Sequence, residues 1–156
     1  MLPLPWIKEI SMRFKRMLYL IPIAFVFICT SYLHSASNQT YGNIIVSRLV
    51  SVYDGDTFRV DIDSFPPIIG SNMPIRIYGI DTPEIRGTRT KELADKAKSV
   101  ARSMLKKAKI IELRDMRRGK YFRIIADVWV DGKNLGQILI EKGLAKPYFG
   151  GKRAKW

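Results

Sequence analysis

SVYDGDTFRVDID, residues Ser51 to Asp63, reads as the tip and second arm of a β-hairpin. Phe58, Val60 and Ile62 alternate with Arg59, Asp61 and Asp63, the period of two that places every second side chain on one face of a strand. Upstream, Ile44 to Val52 alternates more roughly, and Asp54-Gly55 between the two runs is a strong hairpin-turn signal. A polar loop rich in Pro and Gly, Ser64 to Asn72, then leads into Met73 to Ile80, where Ile75, Ile77 and Gly79 face opposite to Arg76 and Tyr78. Three consecutive strands follow from this reading.

Working outward, Leu93, Ala97, Val100, Ala101, Met104, Leu105 and Ala108 recur at intervals of three and four, which predicts a helix between Thr88 and Ala108 with its lysines on the opposite face. Ile110 to Leu113 and Arg123 to Val130 read as two more strands, the second bounded by Asp131-Gly132. Asn134 is suited to cap a helix that turns Leu135, Ile138 and Leu139 inward, carries Lys142 in its last turn and stops at Gly143. Five short strands, with one long helix after the third and another after the fifth, predict an α+β domain built on a small barrel.

The 156 residues allow one domain of ordinary size, and an apolar content of 47% excludes a disordered chain. The 27 Lys and Arg against 14 Asp and Glu point to an anionic partner, nucleic acid or an acidic membrane surface. The single Cys29 excludes an intrachain disulfide and any Cys-rich zinc site.

The beginning of the chain is a different kind of sequence. Lys8, Arg13, Lys15 and Arg16 precede an uncharged run from Met17 to Leu33, followed by the small polar Ser35, Ala36 and Ser37. That order is the pattern of a secretory signal, and the run also reaches the lower limit for an uncleaved membrane anchor. The expected organisation is therefore a signal or anchor over 1–36, a linker over 37–43, the domain over 44–150 and a basic tail over 151–156. The basic flank is expected to stay in the cytoplasm. The folded part is then exported, either periplasmic or extracellular, or held by residues 17–33 and facing outwards. Without residues 1–36 the chain keeps 23 basic and 13 acidic residues, so the charge belongs mainly to the domain.

Asp56 follows the hairpin turn and Asp81 ends the third strand, so adjacent strands bring both carboxylates to one end of the sheet. Two carboxylates held together repel unless a cation sits between them, and oxygen-only donors, with the Thr82 carbonyl as a further one, select calcium or magnesium. Taken singly, each residue has an ordinary structural role. Asp-Gly-Asp-Thr is a common turn, Arg76 can pair with a surface carboxylate, Glu84 suits a first helical turn after Pro83, and Arg123 can be an outward strand residue.

Asp54-Gly55-Asp56-Thr57, then Pro74-Ile75-Arg76 leading into Ile80-Asp81-Thr82-Pro83-Glu84, then Lys120-Tyr121-Phe122-Arg123, then Asn134 to Pro147 resemble the staphylococcal nuclease (thermonuclease) family in order and spacing over about Ile44 to Gly150. The resemblance implies a five-stranded OB-type barrel with two or three helices. It also implies a calcium-dependent endonuclease that hydrolyses phosphodiester bonds of DNA, RNA or both. By the same resemblance Asp56, Asp81 and the Thr82 carbonyl bind Ca2+, Arg76 and Arg123 grip the scissile phosphate, and Glu84 acts on the attacking water as general base or orienting group. Lys120, Tyr121 and Tyr148 are implied contacts to nucleotide, and a monomer is expected. Phe122 stands where the family commonly has glycine, the stretch between Glu84 and the long helix is short, and no final helix is expected after Gly150. The competing reading is a non-catalytic OB-fold module at the cell surface that holds nucleic acid through basic residues and Tyr78, Tyr121 and Tyr148.

Overall fold

The structure is a computed structural model that describes residues 39–84, 90–153 and 155–156. The expected signal or anchor lies outside the described residues, as do residues 85–89 ahead of the long helix. Among the described residues no helix is long and apolar enough to cross a membrane.

Thr40–Trp156 form one compact unit. Its strands are β1 (Ile44–Ile45), β2 (Arg48–Val52), β3 (Thr57–Asp61), β4 (Met73–Ile77), β5 (Ile80–Asp81), β6 (Ile111–Arg118), β7 (Ile124–Val130), β8 (Lys133–Asn134) and β9 (Lys146–Pro147). The described helices are α1 (Pro67–Gly70), α2 (Lys91–Lys107) and α3 (Leu135–Glu141). The main sheet runs in the order β1-β6-β7-β4-β3-β2, with β8 on β7, while β5 and β9 form a separate pair. All strand pairs are antiparallel except β4 with β7, which are parallel. The described residues form a mixed α+β fold with a curled sheet and three helices.

The curl comes from the first expected strand, which is broken in two. Ile44 pairs with Leu113 at one edge of the sheet, and Arg48 pairs with Asp61 at the other. The bend between them keeps its backbone groups satisfied, because Val46 N donates to Ile111 O at 2.9 Å and Ser47 N to Asp61 O at 2.9 Å. One segment thus occupies both edges and leaves little unpaired strand exposed. Residues ahead of β1 join in, since Tyr41 N donates to Met116 O at 2.8 Å and Asp115 N to Asn43 Oδ1 at 2.9 Å.

Inside the curl, Phe58, Val60, Ile75, Ile77, Leu113, Ala126 and Val128 are buried with Leu135 and Leu139 of α3, the faces the alternation of two implied. Several details differ from the sequence reading, among them the strand expected over Ile110 to Leu113, which runs on to Arg118 as β6. The third strand stops at Ile77, and Gly79, at φ +74°, turns the chain so that Asp81 lies in β5 instead of at the end of β4. The Ser64–Asn72 loop contains α1, which opens with Pro at its first position. On α2 the buried stripe is Ala94, Ala97, Ala101 and Leu105, whereas Leu93 is 41% exposed because it lies about one residue of rotation off that stripe. The Asn134 cap of α3 forms as expected, its side chain accepting from Gln137 N at 2.9 Å.

Candidate active site

The register of β3 on β4 begins the site, because it sets Thr57 opposite Arg76 and so puts Asp56 beside the Arg76 guanidinium. Ile77 N donates to the Asp56 carbonyl at 2.9 Å, which pins the turn to the end of β4. Gly55 lets a third element approach, since a Cβ there would stand 2.8 Å from Ala97 Cβ of α2 and 2.9 Å from Thr82 Cγ2. Only a residue without a side chain lets turn, helix and the Asp81–Thr82 segment meet at this distance.

Arg76 is the centre of the resulting cleft. Its Nη1 donates to Asp56 Oδ1 at 2.6 Å, and its Nη2 to Asp81 Oδ1 at 3.0 Å and to the Ile80 carbonyl at 3.3 Å. Asp56 Oδ1 also accepts from Thr57 Oγ1 at 2.9 Å, and its Oδ2 accepts from Thr82 N at 3.1 Å. The side chains of Asp56 and Asp81 are 2% and 3% exposed and that of Arg76 is 13% exposed, whereas Glu84 is 67% exposed at the mouth. Two buried carboxylates are thus clamped by one guanidinium, an arrangement that is costly to desolvate and that orients Arg76 firmly.

Tyr53, Asp54, Asp56, Arg76, Asp81, Thr82, Pro83, Glu84 and Arg153 line this cleft of about 250 Å³. Burial, and then the neighbouring Asp56 carboxylate, push the Asp54 carboxyl up to about 6. Four acids face two guanidiniums, which leaves two negative charges uncompensated when Asp54 is ionised, the formal charge that one divalent cation balances. The described residues hold no group of three or more His, Cys, Asp or Glu arranged for a metal. The donors present are nevertheless oxygen-only and partly buried, which fits a hard cation that completes its shell with water and not a zinc ion.

Asp56, Arg76, Asp81, Thr82 and Glu84 are therefore brought together. Arg123 is not among the residues lining that cleft. It lines a separate pocket with Tyr41, Phe65, Met73, Arg117 and Phe122, and its Nε is buried without a hydrogen-bond partner among the described residues. Tyr121 and Phe122, at φ +58° and +55°, turn the chain ahead of it in the left-handed region, where the family's glycine is free of strain and phenylalanine is not. Lys120 and Tyr121 are exposed, Tyr121 at 89%. Tyr148 is engaged structurally, its hydroxyl donating to Gly151 O at 3.0 Å. The Tyr78 ring lies 3.8 Å beneath the Arg117 guanidinium carbon, with Phe149 edge-on at 5.7 Å.

Two charged lining residues escaped the sequence reading. Asp54 passed as an ordinary turn residue, though an Asp two positions from Asp56 is itself a signal of a like-charge pair. Arg153 passed as part of a basic tail. Its Nε lies 3.5 Å from Asp81 Oδ1 and its Nη1 bonds Glu84 Oε1.

A family model described as staphylococcal nuclease homologue matches residues 74–155, a span that takes in Arg76, Asp81, Thr82, Glu84, Arg123 and Arg153. Among curated proteins, endonuclease YncB of Bacillus subtilis (strain 168) is 28% identical over 117 residues, which cover 72% of this chain and 51% of that protein. The chain spans about half the length of this relative. Asp56 falls ahead of the matched residues, and its tie to them is the Arg76 contact.

Proposed function

This chain belongs to the family of staphylococcal nuclease homologues, and from that premise we propose that it is a calcium-dependent endonuclease that hydrolyses phosphodiester bonds of DNA, RNA or both. The observation that carries the reading is Arg76 bridging the buried Asp56 and Asp81 in a cleft with Glu84 at its mouth. Binding of nucleic acid without chemistry does not call for four acids at the point where phosphate docks. In the curled sheet, β1 with β2 act as one bent strand beside β3, β4, β7 and β6, and we read this as the five strands of an OB-type barrel.

Phosphodiester hydrolysis gathers negative charge on the equatorial oxygens, so groups that meet that charge speed the reaction. Arg76 is held in place by two carboxylates, so its remaining N–H donors meet phosphate already oriented. Glu84, largely in solvent, is the group able to hold a water or take its proton. The residues to hold the metal are Asp56, Asp81 and the Thr82 carbonyl; a bound Ca2+ supplies further positive charge at the phosphate and acidifies water. Asp54, beside Asp56, adds negative charge there once it is ionised, and a bound cation would favour that ionised form against the burial that opposes it.

The non-catalytic reading relies on aromatic platforms, and the Tyr78 ring is already occupied by Arg117 and Phe149. We also propose that residues 1–36 direct export or tether the domain on the outer side, where calcium is plentiful and the cell's own nucleic acids are out of reach. Fractionation with protease added outside intact cells tests the placement, and full-length enzyme in the soluble cytoplasm would refute it. For the activity, the purified chain is incubated with DNA and with RNA in calcium and in chelator. Cleavage that persists in excess chelator would overturn the metal assignment, and no cleavage of either polymer in calcium would overturn the nuclease reading.

A further inference from the structure

The chain beyond β9 does not trail away from the fold. β9 pairs with β5 so that Lys146 stands opposite Asp81, and Tyr148 N donates to Gly79 O at 2.8 Å. Gly150 and Gly151 then take φ +107° and +85°, values that glycine alone adopts without strain, and the Tyr148 hydroxyl donates to Gly151 O at 3.0 Å across the turn. Beyond it, Lys146 Nζ donates to Lys155 O at 2.7 Å and lies 4.5 Å over the Trp156 ring. Arg153 is thus suspended between two anchored points, and both lead back to the short strand pair that carries Asp81.

Arg76 has committed three of its five N–H donors to Asp56, Asp81 and Ile80 and, at 13% exposure, offers solvent little of what remains. Arg153 is 49% exposed, is held on one side by Asp81 and Glu84, and has guanidinium donors left over from those contacts. A phosphate entering from solvent meets it first.

We propose that Arg153 is a second phosphate-gripping residue of this cleft, delivered by the Gly150-Gly151 turn and aimed by Asp81 and Glu84; this rests on the nuclease reading for its substrate. The two carboxylates pre-orient the planar fork, which lowers the side-chain entropy lost when an anionic oxygen is bound. When phosphate takes donors from Arg153, Glu84 is released from its ion pair and becomes available to water. The ligand class is an internal phosphodiester of a polynucleotide, since the cleft is open at its mouth and the chain's positive charge favours a long polyanion.

The test compares Arg153→Ala and Arg153→Lys with the unmutated chain in two assays: kcat/KM for cleavage across a salt series, and anisotropy binding of a single-stranded oligonucleotide in chelator. Arg153→Ala is expected to lower kcat/KM and to weaken oligonucleotide binding about tenfold each, the scale of one lost charged hydrogen bond. It is also expected to make the slope against log salt shallower by about one, with Arg153→Lys recovering part of the loss and the urea midpoint unchanged. If the alanine variant shifts that midpoint, Arg153→Gln takes its place. Cleavage and binding at or above the unmutated level in Arg153→Ala would overturn the proposal and make Arg153 a plug over Glu84. A chain that cuts nothing but loses oligonucleotide affinity with Arg153 would sink the nuclease reading and leave this assignment standing.

Discussion

Replacing Arg76 with methionine removes the one guanidinium that Asp56 and Asp81 share, while keeping a side chain of comparable reach. Asp56, 2% exposed, is then left with no guanidinium partner, and Asp81, 3% exposed, keeps only the more exposed Arg153, whose Nε lies 3.5 Å away. Solvent screens them too little to matter, so the cost is that of breaking a buried ion pair, about 3–5 kcal/mol. With a urea m value of about 1–3 kcal/mol/M, the unfolding midpoint falls by about 2 M. That loss is expected in chelator. In calcium, a cation can take the place Arg76 left, and a concentration a hundred times its dissociation constant returns about 2.7 kcal/mol. Arg76→Met is therefore expected to bind calcium more tightly than the unmutated chain, because Arg76 no longer competes for the same oxygens, yet to cleave at least tenfold more slowly, a loss of about 1.4 kcal/mol in transition-state stabilisation. Urea titrations followed by tryptophan fluorescence, run in chelator and in calcium, read both effects. An Arg76→Met protein that unfolds in chelator at the unmutated midpoint would refute the clamp.

Gly55→Ala places a Cβ against Ala97 and Thr82 and is expected to cost about 1–3 kcal/mol by overpacking, with a further loss of cleavage because Thr82 N also holds Asp56; unmutated stability and rate together would contradict the close approach. Asp54 carries a folded pKa of about 6 against 3.8, so the native state binds the extra proton and stability falls as pH rises through that window, by at most about 3 kcal/mol above pH 6. Asp54→Asn keeps the oxygen that accepts from Asp56 N and should abolish that fall, which unfolding curves between pH 4 and 7.5 measure. Arg123→Lys is expected to lower kcat/KM less than Arg76→Lys, since Arg123 lines a different pocket; the reverse order in a side-by-side cleavage assay would bring Arg123 back as the main phosphate ligand.

Local pattern carried much of this protein. Alternation at Phe58, Val60, Ile75 and Ile77, the Asp-Gly turn and the three-and-four spacing on α2 each report a preference of neighbouring residues, and the corresponding elements appear with the expected faces buried. The carboxylates and Arg76 were legible for the same reason, since turn and strand positions in adjacent strands converge once the register is known. What pattern could not supply were contacts made across long stretches of chain. The break between β1 and β2 depends on two edges of the sheet competing for one segment, and no alternation within Ile44–Val52 records that. The place of Arg123 depends on where a left-handed turn at Tyr121-Phe122 aims the following residue. Arg153 depends on β9 finding β5, 69 positions separating it from the Glu84 it touches. Short-range periodicity sets which face of an element is apolar, because it arises from the geometry of one strand or helix. Which charges meet in the cleft follows from packing those elements together, where the loss of water makes each carboxylate's partner a condition of folding.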